Sequence, residues 1–427
     1  MTPSRSRTLL GVFAIAAVTP LVAAAQQSDT TQKPPAVPPA PAPKQAPVPK
    51  TPNLDFSGVI FGNYQYRTDS AVKAQNGTTN PNKFDIERVY LTFQMPAGDN
   101  ASIRATTDIF QQTSATTNGF YRGWVVRLKY GYLQYNFLRS TDGNAATAFG
   151  RIGMLHTVVI DHQETFWPRY LSQTAVERFG FFSSSDLGAA AQLNLPNKLG
   201  QLYATITNGP GYTAPETDRF KDFALRASFT PLGSQDGFLK TLTISPWAYK
   251  GYTASKFATG GTGQVGPVTE GLARDRYGIF AGLKDRRLTA GAELAQRKEG
   301  YETGANTNLS PRAVNDSTGR LVDAFVIARP IEWLNAADKS SVGVLIRYDR
   351  FTPNTSTDNS LNGSAYQGTT PSYNLLIAGV FWEPTARTAI ALDYQRLSPT
   401  GFPNPGTGII TPTPTQSTVF LHWTASF

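Results

Sequence analysis

Seven basic residues carry the chemistry that this chain displays most plainly: Arg88, Arg104, Arg127, Lys129, Arg151, Arg226 and Arg347. Each stands in a stretch where polar and apolar residues alternate, and each takes the polar register. A guanidinium is a planar fork that offers two parallel hydrogen bonds to phosphate or carboxylate. Several on the wall of a narrow, low-dielectric passage would favour anions. Acids share the same register at Asp55, Asp108, Glu293, Asp349 and Asp393. Arg104 with Asp108, and Arg347 with Asp349, are therefore equally readable as ion pairs that satisfy the wall.

Enzymatic chemistry finds little to use. The chain has three histidines, His156, His162 and His422, and no cysteine. No HExxH, GxSxG or phosphate-cradling loop occurs. The run "DHQE", Asp161 to Glu164, gathers two carboxylates and a histidine, but such a group in a loop is usually only polar loop. His422 could pair with a serine such as Ser57 across a closing seam, and nothing distinguishes that pair from ordinary wall polarity. No catalytic residue, no metal, no cofactor and no nucleic-acid partner are expected.

The elements that position the basic residues are strands. From Leu54 onward the text alternates with period two. "LDFSGVIFGNYQY" sets Phe56, Gly58, Ile60, Gly62, Tyr64 and Tyr66 against Asp55, Ser57, Asn63 and Gln65. "SVGVLIRYDR" sets Val342, Val344, Ile346 and Tyr348 against Gly343, Arg347 and Asp349. Sixteen such segments are expected, at 54–66, 83–95, 101–111, 122–137, 147–156, 185–195, 199–208, 219–230, 238–252, 274–284, 286–298, 320–331, 340–351, 372–383, 387–397 and 416–427. Alternation is blurred in 185–195 and 320–331.

The gaps between them alternate as well. Odd gaps are long, as in 67–82, 157–184, 253–273 and 352–371, while even gaps are mostly short, as in "PAGD", "PNK" and "EPTA". Strands running up and down, with every long loop at one end, produce that pattern. An even-stranded outer-membrane barrel has short periplasmic turns and long outer loops. Closure leaves no edge in hydrocarbon, where unpaired backbone groups cannot be satisfied. The expected fold is thus an all-β transmembrane antiparallel barrel over 53–427, in the cell outer membrane, with both termini periplasmic. Its apolar faces would meet lipid and lipopolysaccharide. Tyr64, Tyr66, Tyr132, Tyr135, Trp247, Tyr249, Trp382 and Trp423 are expected in the interfacial aromatic girdles.

Composition agrees. Charged residues make up 16%, below the usual quarter for a globular domain, aromatics 11%, and the formal net charge is +9. Residues 1–25 read as a signal peptide, with Arg5 and Arg7 before "LLGVFAIAAV" and "AAA" before Gln26. Residues 26–52 are Pro/Ala-rich without an aromatic and read as a periplasmic tether. The third odd gap, 157–184, is too apolar to float in water, with Phe166, Trp167, Tyr170, Phe179, Phe181 and Phe182. It is expected either to fold inward and narrow the channel or to pack on a neighbouring subunit. Folded inward, it would bring Arg169, Glu177 and Arg178 to the constriction.

"FDIERVYLTFQM", "YGYLQYNF" and "GRIGMLHTVVIDHQETFWPRYLSQTAVER" succeed one another in an order that resembles the N-terminal half of the phosphate-selective porin O and P family. Phe84, Ile86 and Arg88 match its first strand motif. Tyr132, Leu133, Gln134 and Tyr135 match the second. Gly153, Glu164, Glu177 and Arg178 match the third. The resemblance spans about residues 54–195. It implies a homotrimer of sixteen-stranded channels with an arginine-lined lumen that passes small anions such as phosphate. The final "VFLHWTASF", ending on Phe427, resembles the C-terminal signal read by the barrel-assembly machinery. The expected function is a passive channel for small hydrophilic solutes, anion-biased. The alternative is a non-selective or structural barrel whose tether contacts periplasmic partners.

Overall fold

Alternation gives each strand one greasy face, and sixteen strands hide their edges from lipid by closing on one another. In the computed structural model, residues 53–69, 81–112, 123–216, 218–254, 271–303, 313–334, 340–355, 372–400 and 415–427 are described. The expected signal peptide and tether lie outside the described residues. The strands are β1 (Asp55–Arg67), β2 (Asn82–Pro96), β3 (Ala101–Gln112), β4 (Gly123–Leu138), β5 (Thr147–His156), β6 (Ser185–Asn194), β7 (Gly200–Thr207) and β8 (Asp222–Phe229). They continue with β9 (Thr243–Ala254), β10 (Gly271–Lys284), β11 (Leu288–Thr303), β12 (Ala313–Ala328), β13 (Val342–Thr352), β14 (Ser372–Thr385), β15 (Thr388–Thr400) and β16 (Gln416–Ser426). Every neighbour in sequence is an antiparallel neighbour in space, and β16 closes on β1. Among the described residues no helix is long and apolar enough to cross a membrane.

The closing seam is tight. Gly58 and Phe427 exchange two backbone hydrogen bonds of 3.0 Å each. The Phe427 ring lies 5.6 Å from that of Phe56 and covers Gly58, where a Cβ would fall 2.4 Å from a ring carbon. Leu421, Trp423 and Phe427 are exposed on the outside, in line with the lipid-facing register of the last strand.

Pairing register shifts at four places among the described residues, near Asn136–Leu138 and Trp382–Thr385 by the short turns and at two bulges within the barrel wall. Phe61 pairs with Arg88 and Gly62 with Ile86, so Glu87 and Arg88 both turn inward. Thr106 pairs with Tyr130 and Thr107 with Leu128, so Lys129 and Tyr130 do the same. The second bulge flips the register of the rest of β4, and Tyr132 is buried inside the barrel rather than standing in a girdle. Trp247 and Tyr249 also leave the expected girdle and point inward, both packed on Phe182. Tyr66, Tyr135, Trp382 and Trp423 are exposed on the outer face.

The pair β11–β12 is longer than its alternation predicts. It runs to Thr303 and from Ala313, where 286–298 and 320–331 were expected. The added part of β12, "AVNDSTG", has Val314 as its one large apolar residue, so alternation has no greasy side to show there.

Candidate functional site

The connection from β5 to β6, residues 157–184, folds into the barrel. It carries two short helices, α1 (Ile160–Glu164) and α2 (Ala175–Arg178). Gly153, on the way into it, has φ +130, and a Cβ there would sit 2.2 Å from the Gly131 carbonyl oxygen. Only glycine fits that approach. The loop's own apolar residues then become a core: Val158, Val159, Ile160, Trp167, Leu171, Val176 and Phe181 are each no more than 2% exposed. Their partners are inward aromatics of the far wall. Trp167 lies 5.2 Å from Phe325, Phe166 5.3 Å from Phe280, Phe179 4.7 Å from Phe351 and Phe182 5.2 Å from Trp247. Each fully buried side chain of this size contributes roughly 1.5–3 kcal/mol.

Wall side chains also hold the loop's carbonyls. Arg347 Nη1 donates to Gln173 O at 2.8 Å, Arg297 Nη1 to Phe179 O at 2.8 Å, Gln395 Nε2 to Leu171 O at 3.1 Å and Lys284 Nζ to Thr165 O at 2.6 Å. Arg276 donates to Phe181 O. The loop is thus fastened to β10, β11, β13 and β15, and space remains on the side of β16, β1, β2, β3 and β4.

That space consists of linked cavities. One of about 350 Å³ lies toward the long-loop end, bordered by Lys83, Asp85, Glu87, Arg88, Arg178 and His422. A second, of about 610 Å³, lies toward the short-turn end, bordered by Tyr90, Arg104, Lys129, His156, Asp161 and Glu164. Both touch Phe61 and Arg169, which therefore mark the neck between them. A third, of about 900 Å³, opens beneath the loop beside the short-turn ends of β10–β14 and shares Glu164 and Tyr170 with the second.

The basic residues named from the sequence fall into three groups. Arg88, Arg104 and Lys129 border the passage. Each sits by an aromatic ring: Arg88 is 5.2 Å from Phe110, Arg104 5.2 Å from Tyr130 and Lys129 4.0 Å from Tyr90. Arg127 and Arg151 belong to the wall beside it. Arg127 binds Asp108 at 3.3 Å and lies over Phe110 at 3.8 Å, and Arg151 lies between Tyr132 and Phe149 at 4.6 and 4.4 Å. Arg226 and Arg347 do not line an open channel, because the inner loop covers them. Arg226 is 5% exposed and donates to Ser228 at 3.1 Å. Arg347 is 1% exposed, with two 2.7 Å hydrogen bonds to Asp349. Packing hides them from the alternation that picked them out.

On the loop, Arg169 binds Glu164 at 3.0 Å and Glu177 at 3.0 Å, so the neck carries a guanidinium held by two carboxylates. Arg178 stands above, on the outer cavity. Burial pushes the Glu164 carboxyl up to about 6, with Arg169 and Lys129 pulling the other way. Burial, with Arg226 nearby, holds the His162 imidazole well below its ordinary range, and its Nε2 lies 2.9 Å from Ser245 Oγ.

The suggested histidine pairings resolve differently. Asp161 binds His156 Nε2 at 2.8 Å and accepts from Tyr130 at 2.9 Å, while His162 and Glu164 point elsewhere. His422 lies 3.0 Å from Asp393 and stacks on Phe420. It pairs across the seam with Asn63, six residues from Ser57 and so about 20 Å away along the strand. The Ser57–His422 pair therefore does not form. The alternation named Glu293 and Asp349 as inward acids but missed Asp323 between them, so that Glu293 faces Asp323 and Asp323 faces Asp349 in a row behind the loop. Asp323 lies on the strand whose pattern was blurred.

A closed sixteen-stranded barrel with an apolar outside, and a long loop tucked into its lumen, defines the class: a transmembrane β-barrel of the outer membrane. Solved structures of that class share the fold. The chain is similar to Salmonella typhi OmpF in complex with daunomycin, with TM-score 0.53 and 12% identity over 88% of this chain and 97% of that one. A loop L8 deletion mutant of Vibrio cholerae OmpT, described as an outer membrane protein, gives 0.52 and 10% over 88% and 99%. An anion-selective porin from Comamonas acidovorans gives 0.51 and 10% over 88% and 100%. At these identities the likeness is one of fold. No protein-family model matches the chain, and no curated protein matches it in sequence.

Proposed function

We propose that the chain is an outer-membrane porin through which small hydrophilic solutes diffuse passively, with a bias toward anions. The observation that carries this is the one-sided lumen. The inner loop packs against β9–β15, above the third cavity, and leaves a passage along β16–β4, necked at Arg169. Lys83, Arg88, Arg104, Lys129, Arg169 and Arg178 border its two chambers, against Asp85, Glu87, Asp161 and Glu164. Six cations against four carboxylates is a modest excess, magnified by low-dielectric walls. Phosphate suits the guanidinium fork, as the resemblance to the phosphate-selective family implies. One structural neighbour is described as anion-selective and another as a trimer form, which supports anion bias and a homotrimer here.

Reversal potentials in planar bilayers under a KCl gradient test this. Chloride should be preferred modestly over potassium, and phosphate should block chloride current at low concentration. The double variant R88A/R104A should move the ion ratio toward cations. A wild-type channel that prefers potassium would dismiss the anion bias, and an unchanged ratio in the variant would leave both arginines as wall structure. No step current at all would remove the channel.

A further inference from the structure

The outside of the barrel carries a pattern that diffusion through the lumen does not use. Lys250 on β9, Lys298 on β11, Arg320 on β12, Arg350 on β13 and Arg396 on β15 are all exposed. Their buried chain neighbours fix the orientation. Leu321 points inward beside Arg320, Asp349 and Phe351 beside Arg350, and Gln395 beside Arg396. The five cations therefore face away from the lumen.

Strand register places Lys298 and the three arginines near one height, with Lys250 two strands back on the Lys298 row. A line of directly paired residues climbs as strand number rises. It starts at Leu288, at the short-turn end of β11, and passes through Ala328, Val344, Val380, Leu392 and Leu421. It reaches Tyr64, near the long-loop end of β1. A level line must step down the rows instead. The cations do so. Lys298 faces Thr318, and Arg320 is one outward position lower. Arg320 faces Thr352, and Arg350 is one lower. Arg350 faces Asn374, which faces Ser398, and Arg396 is one lower again. They form a belt around β11–β15.

The belt's depth is set by what lies beneath. Tyr277, Tyr348 and Tyr394 are the next outward residues below it on β10, β13 and β15, at 51%, 46% and 36% exposure. Exposed Leu294, Val322, Ile346 and Leu392 continue downward. Tyrosines over an apolar band mark the top of the hydrocarbon, so the cations sit among headgroups. Asp275 pairs with Lys250 at 2.9 Å and Asp316 with Lys298 at 2.8 Å, which leaves the arginines as the uncompensated part. Arg320 donates to Gln296 at 3.3 Å, and Arg350 and Arg396 form no ion pair among the described residues.

We propose that this belt binds the phosphorylated headgroups of outer-leaflet lipid, the chemistry of lipopolysaccharide, through Arg320, Arg350 and Arg396. A ligand there must continue downward past tyrosines into an apolar wall, which an acyl chain does. Its phosphates meet planar donors made for them. The site rests on the outer-membrane placement and is independent of which ion the lumen prefers.

The test uses the whole chain refolded in detergent and challenged with lipid A, dephosphorylated lipid A or phosphatidylcholine, with gel filtration and assay of retained lipid as the readout. Wild type should retain lipid A. Each lost cation should cost roughly fivefold in affinity, so R320Q/R350Q/R396Q should bind about a hundredfold more weakly. Dephosphorylated lipid A should bind wild type no better than lipid A binds the variant. Equal retention of lipid A by both proteins overturns the site, and so does equal retention of the two lipids by wild type. Unchanged conductance in phosphatidylcholine bilayers verifies that the variant folds. If the triple variant does not fold, R350Q must show the fivefold loss by itself, and its absence overturns the site. A protein that retains lipid A yet passes no current would sink the diffusion function and leave this site standing.

Discussion

Arg169 sits where both chambers of the passage meet, yet it does not act as a bare positive charge. Glu164 and Glu177 bind it from the same loop, and the balance among the three sets the field at the neck. Glu164 is the variable partner, because burial lifts its carboxyl to about 6. It is mostly ionised at pH 7 and protonated at pH 5. Acidification through 6 therefore removes one negative charge beside Arg169 and Lys129, and anion preference should rise. Ordinary carboxylates titrate lower and contribute little in that window. Reversal potentials at pH 7 and pH 5 should show the rise in wild type and not in E164Q. A rise of the same size in E164Q would assign the effect to another group. The residue types were legible in the sequence here. Arg169, Glu177 and Arg178 were picked from an apolar loop expected either to fold inward or to pack on a neighbouring subunit. Of the two carboxylates that hold Arg169, Glu177 was among them, while Glu164 was read as part of a polar loop run.

The inner loop is an element held by its contents. Its aromatic side chains find most of their partners on the inward face of the far wall, and arginines reach across to its carbonyls. Trp167 is central: 1% exposed, against Phe325, with Arg347 4.9 Å above its ring. Emptying that position should cost about 3–5 kcal/mol of loop packing. The barrel ladder stays untouched, so W167A should yield a folded barrel with raised single-channel conductance and faster amide exchange across 157–184. Normal conductance and exchange would mean the loop is held without its core. The alternation gave the wall's registers but could not tell which inward residues water would reach. Arg347 and Arg88 read alike in sequence, and the loop buries one and leaves the other open. Bulges were equally hidden. One extra residue at Glu87 or Lys129 leaves composition unchanged while turning the remainder of its strand over, which is how Tyr132 came to lie inside.

For the whole molecule, closure is the decisive event, and strand count and loop polarity were its readable part. Sixteen alternating segments with long and short gaps taking turns leave few folds that satisfy every backbone group in lipid. The seam that completes them ends on Phe427, whose ring packs on Phe56 and over Gly58. Loss of that aromatic pair should cost only about 1 kcal/mol in the finished barrel. F427A refolded in detergent should therefore unfold within a few degrees of wild type. If the terminal residue is also read by assembly machinery, as the resemblance of "VFLHWTASF" implies, the amount inserted in cells should fall much further. Equal losses in both settings would make Phe427 a packing residue alone.

The passage runs along the two strands that meet last. Phe420, His422, Thr424 and Ser426 border it from one side of the seam, and Ser57, Val59 and Phe61 from the other. A chain cut short, or caught half-zipped during insertion, lacks one bank of this river altogether. Closure of the β1–β16 seam is thus the step that completes the wall of this passage.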